Sequence, residues 1–388
     1  MLCQLSYGGI SRALYHPACA VFKMVFVCKH IGGGGHCSQI ERRCQCAQAA
    51  KLRAMLFMFT FIPKTHACTM CPISSRSFGE GRNALYTPCL KIGRSTFIHI
   101  TERSNNMSKI YPFQIGQFEC IAVSDGTSQR MPEALKMVFS TAPEDELDQA
   151  LRDHHIDKND MQNNFTCLVI RTGEQTVLID TGLGSGGSAT TGKLTESLAS
   201  AGLSPSDIDL VMISHGHGDH IGGLTDDDGN LVYSNARYAI WQGEWEHWTS
   251  DETLSAMDET RAAFVKKNLL PLQDRLQLID SSADIVPGIC ALPMHGHTPG
   301  HIAISINSDG EELVYSADTV LSPIHLEHPT WSPSFDSIAQ QAIESRHKLG
   351  QYAIDNNPLI LAYHFDFPGL GHIVKQGDAW GWQPRESA

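Results

Sequence analysis

The residues best suited to bind a metal or catalyse a reaction lie in one segment, residues 214–223, which reads SHGHGDHIGG. It holds three histidines and an aspartate: His215, His217, Asp219 and His220. The interleaved glycines disfavour helix and strand and suit a tight loop on which imidazoles and a carboxylate converge. Both groups are ligands of zinc, iron and manganese. Because four ligands from one loop reach a single ion only with strain, the segment predicts two ions; a surface histidine-rich loop is the alternative.

Apolar runs that predict buried strands come directly before the candidate ligands. Leu210–Ile213 precedes the first cluster. Three more candidates, His297, Asp318 and His364, follow similar apolar stretches later in the chain. Side chains at the ends of buried strands are carried by a rigid scaffold, which is where functional sites are usually built. The sequence therefore predicts that separate strands bring these residues to one place.

The cluster resembles the HxHxDH signature of the metallo-β-lactamase superfamily, and the resemblance covers roughly residues 113–374. The later residues match the family's order: a histidine before Thr-Pro-Gly-His, an aspartate in a strand-end Ala-Asp, and a late histidine. The resemblance implies an α/β fold of the αββα sandwich type, with two packed sheets and helices outside. It also implies a ligand set of seven residues: His215, His217, Asp219, His220, His297, Asp318 and His364.

The same resemblance divides these ligands between two ions. One ion would take His215, His217 and His297, and the other would take Asp219, His220 and His364. Asp318 would bridge both. Zinc is the expected metal, and manganese, iron and cobalt remain alternatives because availability decides among them.

Three further residues are expected to support the ligands. Asp180 ends an apolar strand and would accept a hydrogen bond from a ligand imidazole, which fixes the tautomer of that ring; a plain turn before glycine is the alternative. His301 matches the second histidine of the family's Thr-Pro-Gly-His motif. His372 is expected to help line the pocket. For both histidines a purely structural role is equally compatible with the sequence.

The predicted chemistry is hydrolysis by a hydroxide that bridges two cations, because bound water can drop in pKa to about 7. Asp219 is the candidate proton shuttle. The tail around residues 362–372 and Glu327-His328-Pro329 resemble the methyl-parathion-hydrolase and lactonase-like branch. That resemblance implies ester, lactone or phosphotriester substrates. Apolar residues that could line such a pocket are Trp241, Trp245, Trp248, Phe335, Phe365 and Phe367.

Two other functions stay open. A one-iron persulfide dioxygenase or a glyoxalase-II-like thioesterase would need cations for glutathione, and residues 295–372 contain only Arg346 and Lys348. A non-catalytic metal-binding scaffold is disfavoured because the set of ligands is complete.

Composition divides the chain near residue 106. Residues 1–106 carry 13 Lys+Arg against three acids and hold nine of the 12 cysteines, whereas residues 107–388 carry 16 Lys+Arg against 39 acids. We expect residues 1–106 to be a disordered leader or an over-extended start, because Met107 looks like a natural start; a transit peptide is the alternative. Residues 107–388 would form the hydrolase domain.

The strong negative charge of that domain argues against a nucleic-acid surface. The apolar stretch 54–62 is too short for a membrane helix. We therefore expect a small-molecule partner, no nucleic acid and no membrane; a homodimer is compatible with the sequence. Three cysteines in the domain give no disulfide framework, which favours the cytoplasm.

Periodicity predicts several elements around the site. Residues 254–270 are predicted to form one helix that stops at Pro271, and residues 337–351 a second helix. Hairpins are predicted at residues 172–174 and 307–310. The stretch 358–363 is predicted to be the last strand.

Overall fold

The protein is described here by a computed structural model, which covers residues 5–7, 10–13, 110–130 and 132–386. The chain divides into two units, Met1–Phe97 and Ile98–Ala388. In the first unit, β1 (Leu5–Tyr7) and β2 (Ile10–Ala13) pair antiparallel. The rest of the predicted leader, residues 1–106, and the predicted start at Met107 lie outside the described residues and stay predictions.

The second unit contains two seven-stranded sheets, each with its strands in chain order. The first sheet consists of β3 (Ile110–Ile115), β4 (Phe118–Arg130), β5 (Met161–Arg171), β6 (Thr176–Ile179), β7 (Leu210–Ile213), β8 (Arg237–Trp241) and β9 (Leu276–Ile279). The second consists of β10 (Asp284–Val286), β11 (Ile289–Pro293), β12 (Ile302–Ser308), β13 (Glu311–Ala317), β14 (Leu359–Ala362), β15 (Leu370–Gln376) and β16 (Ala379–Pro384).

Nine α-helices are described in this unit. They are α1 (Pro132–Val138), α2 (Glu144–Asp153), α3 (Leu194–Ser200), α4 (Gly218–Ile221), α5 (Gln242–Thr249), α6 (Asp251–Ala256), α7 (Glu259–Leu269), α8 (Ile324–Glu327) and α9 (Ala339–Asn356). Helix α9 packs against β15, and α3 packs against β4.

The packing of β14 shows how the two sheets and the outer helices are layered. Leu359 and Leu361 belong to a core cluster that both sheets share. Ile360 and Ala362 belong to a second cluster that includes Leu349 of helix α9. Because neighbouring residues of a strand point to opposite faces, an apolar run covered on both faces needs a sheet on one side and a helix on the other. This arrangement confirms the predicted sandwich of two sheets with helices outside.

Parallel strand pairs bring the candidate residues together. β6, β7, β8 and β9 run parallel in one sheet, and β13 and β14 run parallel in the other. Asp180 and His215 follow β6 and β7, while Asp318 and His364 follow β13 and β14. The carboxyl ends of strands in such sheets border the crevice where ligands bind.

Both predicted hairpins are present, between β5 and β6 and between β12 and β13. Two predictions about elements were wrong. Residues 254–270 form parts of two helices, because the Asp258 carboxylate accepts the Arg261 N–H at 2.9 Å and begins a new helix there. The strand at 358–363 is not the last, since β15 and β16 follow it.

Candidate metal centre

The tight loop after β7, the turn before β12 and the end of β13 bring four donors to one point. The side chains of His215, His217, His297 and Asp318 place a ligand atom each within 4.8 Å of one another. His217 Nδ1 lies 3.1 Å from His215 Nε2 and 3.0 Å from His297 Nε2. The side chains of His215, His297 and Asp318 are buried, and that of His217 is partly buried.

A second group lies beside the first. Asp219, His220 and His364 also place one ligand atom each within 4.8 Å of the others. Asp219 Oδ2 lies 3.8 Å from His220 Nε2 and 3.5 Å from His364 Nε2. Asp219 is the most exposed of the three, with 24% of its side chain accessible to solvent. Its carboxylate is therefore open to a small molecule that enters the site.

Asp318 reaches both groups. Its Oδ2 lies 3.3 Å from His297 Nε2 and 3.4 Å from His364 Nε2, while its Oδ1 lies 3.3 Å from His220 Nε2. The two groups, which together contain all seven residues proposed as ligands from the sequence, thus meet at this one carboxylate.

The outward-facing ring nitrogens are each held by a hydrogen-bond acceptor. His220 Nδ1 donates to Asp180 Oδ2 at 2.8 Å, and His364 Nδ1 donates to the Asn164 carbonyl at 2.9 Å. His297 Nδ1 donates to Asp336 Oδ1 at 2.8 Å. A proton on the outer nitrogen leaves the inner Nε2 with a lone pair, which is the tautomer that a metal requires.

Several ligand atoms that face the centre of the cluster have no hydrogen-bond donor among the described residues. His220 Nε2 and Asp318 Oδ1 are buried with no hydrogen-bond partner among the described residues. His215 Nδ1 faces Ser214 Oγ at 3.0 Å, so its Nε2 also carries a lone pair toward His217. Lone pairs that face each other at about 3 Å repel unless a cation lies between them. The residues therefore fit divalent metal.

Burial keeps several of these rings neutral. Burial, together with the neighbouring His220, lowers the pKa of His215 well below its ordinary value. Burial and His297 likewise lower the pKa of His217. The pKa of His301 falls to about 3 for the same reasons. Neutral imidazole is the form that binds metal.

Carboxylates reverse this effect at two other rings. Burial opposes the charge of His297, but Asp318 and Asp336 outweigh it and raise the pKa of His297 to about 9. Burial also opposes the charge of His220, but Asp318 and Asp180 raise its pKa well above the ordinary value. A proton on the inner nitrogen of either ring therefore competes with a cation for that nitrogen.

Two of the three predicted supporting residues contact the cluster. Asp180 is fully buried and accepts from His220 Nδ1, Ser214 Oγ and Tyr315 Oη through one oxygen, at 2.7–2.8 Å. His301 Nε2 accepts the backbone N–H of Asp318 at 3.0 Å, so it holds the backbone of that residue.

His372 lies on β15 opposite Gln383. It belongs to neither group of ligand atoms. Its Nδ1 is buried without a hydrogen-bond partner among the described residues.

Two supporting carboxylates were not foreseen in the sequence. Asp336 binds His297 as described, and its other oxygen pairs with Arg346 Nη2 at 2.6 Å. Glu244, on α5, is fully buried and contacts both loops that carry the first group of histidines. Asp336 follows no strand, and Glu244, although it comes three residues after β8, lies inside a helix rather than in a glycine-rich loop, so neither shares the pattern of the candidate ligands.

Of the aromatic residues considered, Trp248 and Phe335 border the cluster. The Trp248 ring lies 5.7 Å from the His217 ring, and the Phe335 ring lies 5.8 Å from the His297 ring. Phe365 instead packs against Trp382 in the helix-facing cluster. The site therefore has an apolar wall beside the three-histidine group.

A model of the metallo-beta-lactamase superfamily matches residues 165–357, which include every one of the candidate ligands except His364. The chain belongs to the metallo-beta-lactamase superfamily. An N-acyl homoserine lactonase of Bacillus cereus is 25% identical over 230 residues, or 54% of this chain and 81% of that protein. An N-acyl homoserine lactonase of Bacillus thuringiensis is 24% identical over the same length.

Two solved structures are similar to this chain over more than two thirds of its length. AidC, a dizinc quorum-quenching lactonase in complex with a product, is 28% identical with a TM-score of 0.68, covering 73% of this chain and 100% of that one. The hydrolase AbOPH is 25% identical with a TM-score of 0.65, covering 72% and 98%. The protein is a lactonase-like, metal-dependent hydrolase. The histidine and aspartate groups described above support divalent metal at this site.

None of the helices in the described part of the chain is long and apolar enough to cross a membrane.

Proposed function

We propose that this metallo-beta-lactamase superfamily protein hydrolyses a neutral lactone, with N-acyl homoserine lactones as the first class to test. Two divalent ions, zinc in the first instance, would be held in the way the sequence predicted. His215, His217 and His297 would hold one of them. The observation that carries the proposal is that Asp318 lies within 3.4 Å of donors in both groups.

The second ion would be held by Asp219, His220 and His364. When bound, such ions polarise a carbonyl group and lower the pKa of a water molecule towards 7, which makes that water a nucleophile at neutral pH.

Asp219 is suited to move the proton. Its Oδ2 faces His364 and His220, and the side chain is partly exposed to solvent. During lactone opening, the water oxygen bonds to the carbonyl carbon and the bond from that carbon to the ring oxygen breaks. The ring oxygen leaves as an alkoxide and takes a proton that Asp219 has received from the water. The product is a hydroxy acid, which ionises at neutral pH.

Tyr363 and Asn164 hold the Asp219 side of the site in place. The Tyr363 hydroxyl donates to the Asp219 backbone carbonyl, and its ring packs 4.1 Å from that of His220. The Asn164 carbonyl accepts from His364. These contacts fix the carboxylate relative to the two histidines before substrate binds, which reduces the reorganisation that the reaction needs.

The surroundings favour an uncharged, partly apolar substrate. Trp248 and Phe335 form an apolar wall at the three-histidine group. Arg346, one of two cations between residues 295 and 372, is buried and paired with Asp336. It is therefore not free to bind the carboxylates of a glutathione thioester, which weighs against the thioesterase and persulfide alternatives. The relatives named as N-acyl homoserine lactonases support the lactone class.

The test is a substrate panel with the zinc-loaded protein. N-hexanoyl homoserine lactone, a paraoxon analogue and a glutathione thioester are compared, and oxygen uptake is followed with a persulfide. We expect the lactone to have the highest kcat/KM. Asp219→Asn should lower kcat by 10²-fold or more, in line with general acid–base contributions. Faster turnover of the triester or thioester, or oxygen uptake with one iron, would replace the lactone proposal, and two bound metals with no turnover would favour the scaffold.

A further inference from the structure

Glu244 is an acidic side chain buried against the site without a cationic partner. It lies on helix α5, and its exposed fraction is 0%. No ion pair of this residue occurs within the described parts of the chain. Four groups donate hydrogen bonds to its carboxylate: the Gly216 N–H, Trp248 Nε1–H, the Thr298 hydroxyl and the Gly300 N–H, at 2.5–2.8 Å. A carboxylate removed from water in this way depends on those donors.

Each oxygen of Glu244 serves a different loop. Oε1 accepts from Gly216, which lies between His215 and His217. Oε2 accepts from Thr298 and Gly300, which follow His297. The two loops come from different sheets of the sandwich, after β7 and after β11. One side chain therefore joins the backbones that present all three histidines of the first group.

The spacing of these loops from α5 is close enough to require glycine. A Cβ atom at Gly216 would lie 2.4 Å from Trp248 Nε1, and one at Gly300 would lie 2.3 Å from the Glu244 backbone nitrogen. Real Cβ atoms do not approach other heavy atoms so closely. Both loops are thus pressed onto the helix at the points where its carboxylate holds them.

The second group of ligands does not use this support. His220 is held by Asp180, and His364 is held by the Asn164 carbonyl. We infer that Glu244 is a positioning residue that sets the distance between the two loops and so tunes the affinity of the three-histidine ion alone. This inference rests on the two-ion site proposed above.

The discriminating variant is Glu244→Gln. It keeps the shape of the side chain but turns one acceptor into an NH₂ donor, which then faces the donors of one loop. Loss of such an outer partner typically weakens metal binding 10–100-fold. We expect one zinc equivalent to bind 10–100-fold more weakly, measured by competition with a chromophoric chelator, and the other to bind as in the wild type. Glu246→Gln is the matched control, because Glu246 lies on the same helix, is exposed and accepts a hydrogen bond from Gln242 rather than from a loop of the site.

A second variant guards against simple unfolding. Thr298→Val removes one of the four donors and leaves the carboxylate, so it should weaken the same zinc equivalent by a smaller factor. Thermal unfolding of the metal-free variants shows whether the fold is intact. Equal weakening of both equivalents, or no change in Glu244→Gln, overturns the role of Glu244. A wild-type protein that binds fewer than two zinc ions instead overturns the two-ion proposal on which the inference depends.

Discussion

The Asp180→Asn substitution tests whether a buried carboxylate behind His220 holds that ring for metal. Asp180 adopts a left-handed backbone conformation, with φ of 60°. Asparagine is among the few residues that accept this conformation readily. The substitution therefore removes the charge and one acceptor without adding backbone strain. Alanine at this position would add that strain.

The size of the effect follows from the four hydrogen bonds of Asp180. Oδ1 accepts the Ser214 N–H, and Oδ2 accepts from Ser214 Oγ, Tyr315 Oη and His220 Nδ1. Whichever way the amide turns, its NH₂ faces at least one donor. Hydrogen bonds to charged groups contribute about 1.5–3 kcal/mol each, and an unpaired buried donor costs about 1–3 kcal/mol. We expect the free energy of unfolding to fall by roughly 2–4 kcal/mol.

The assay combines thermal unfolding of the metal-free protein with zinc competition. Zinc affinity at the His220 side should fall by about 10–100-fold, because the ring loses the acceptor that fixes its tautomer. Asp309→Asn is the control: Asp309 is also left-handed, with φ of 50°, but it is exposed and binds only Gln117 in the described structure. Unchanged stability and zinc affinity in Asp180→Asn would refute the reasoning.

Three other outcomes are expected. Asp318→Ala should remove the group shared by both sets of ligands, so that metal analysis finds fewer than two ions and turnover is nearly abolished; two ions with normal turnover would contradict this. His372→Ala should keep both ions, and metal loss would mean that His372 belongs to the site. Zinc affinity should rise with pH, by about tenfold per unit for each proton displaced, until about pH 9, because the pKa of His297 is raised to about 9 and zinc must displace its proton. Calorimetry in buffers of different ionisation enthalpy should detect this proton release below pH 9, and its absence would contradict the protonation of His297.

The residues proposed as ligands could be located from the sequence because the segments that carry them follow apolar strands. His215 comes after Leu210–Ile213, and Asp318 comes after β13. Their residue types indicate metal binding, and their positions indicate the end of a strand. The resemblance to a known signature then set their order. The packing of two sheets followed from the same resemblance and from strand patterns.

The supporting carboxylates could not be predicted in this way. Glu244 lies within the short helix QGEWEHWT, and three of its four partners are 28, 54 and 56 residues away. Asp336 lies 39 residues from His297 in a loop without periodicity. Burial of an acid depends on donors supplied by distant loops, and no local pattern encodes those donors.

The strands β15 and β16 were not predicted from the sequence, because each contains a glycine. β15 and β16 contain Gly371 and Gly381, where a Cβ atom would lie within 2.6 Å of the Trp382 ring and within 2.2 Å of the Gln376 side chain, respectively. Glycine weakens the alternation that marks a strand in the sequence.

The most direct test of the central claim is a crystal structure of the zinc-loaded protein with anomalous data collected at the zinc edge. The account predicts two zinc peaks within the cluster, one touching His215, His217 and His297, the other touching Asp219, His220 and His364, with Asp318 between them. A single peak, or zinc bound away from these side chains, would contradict it.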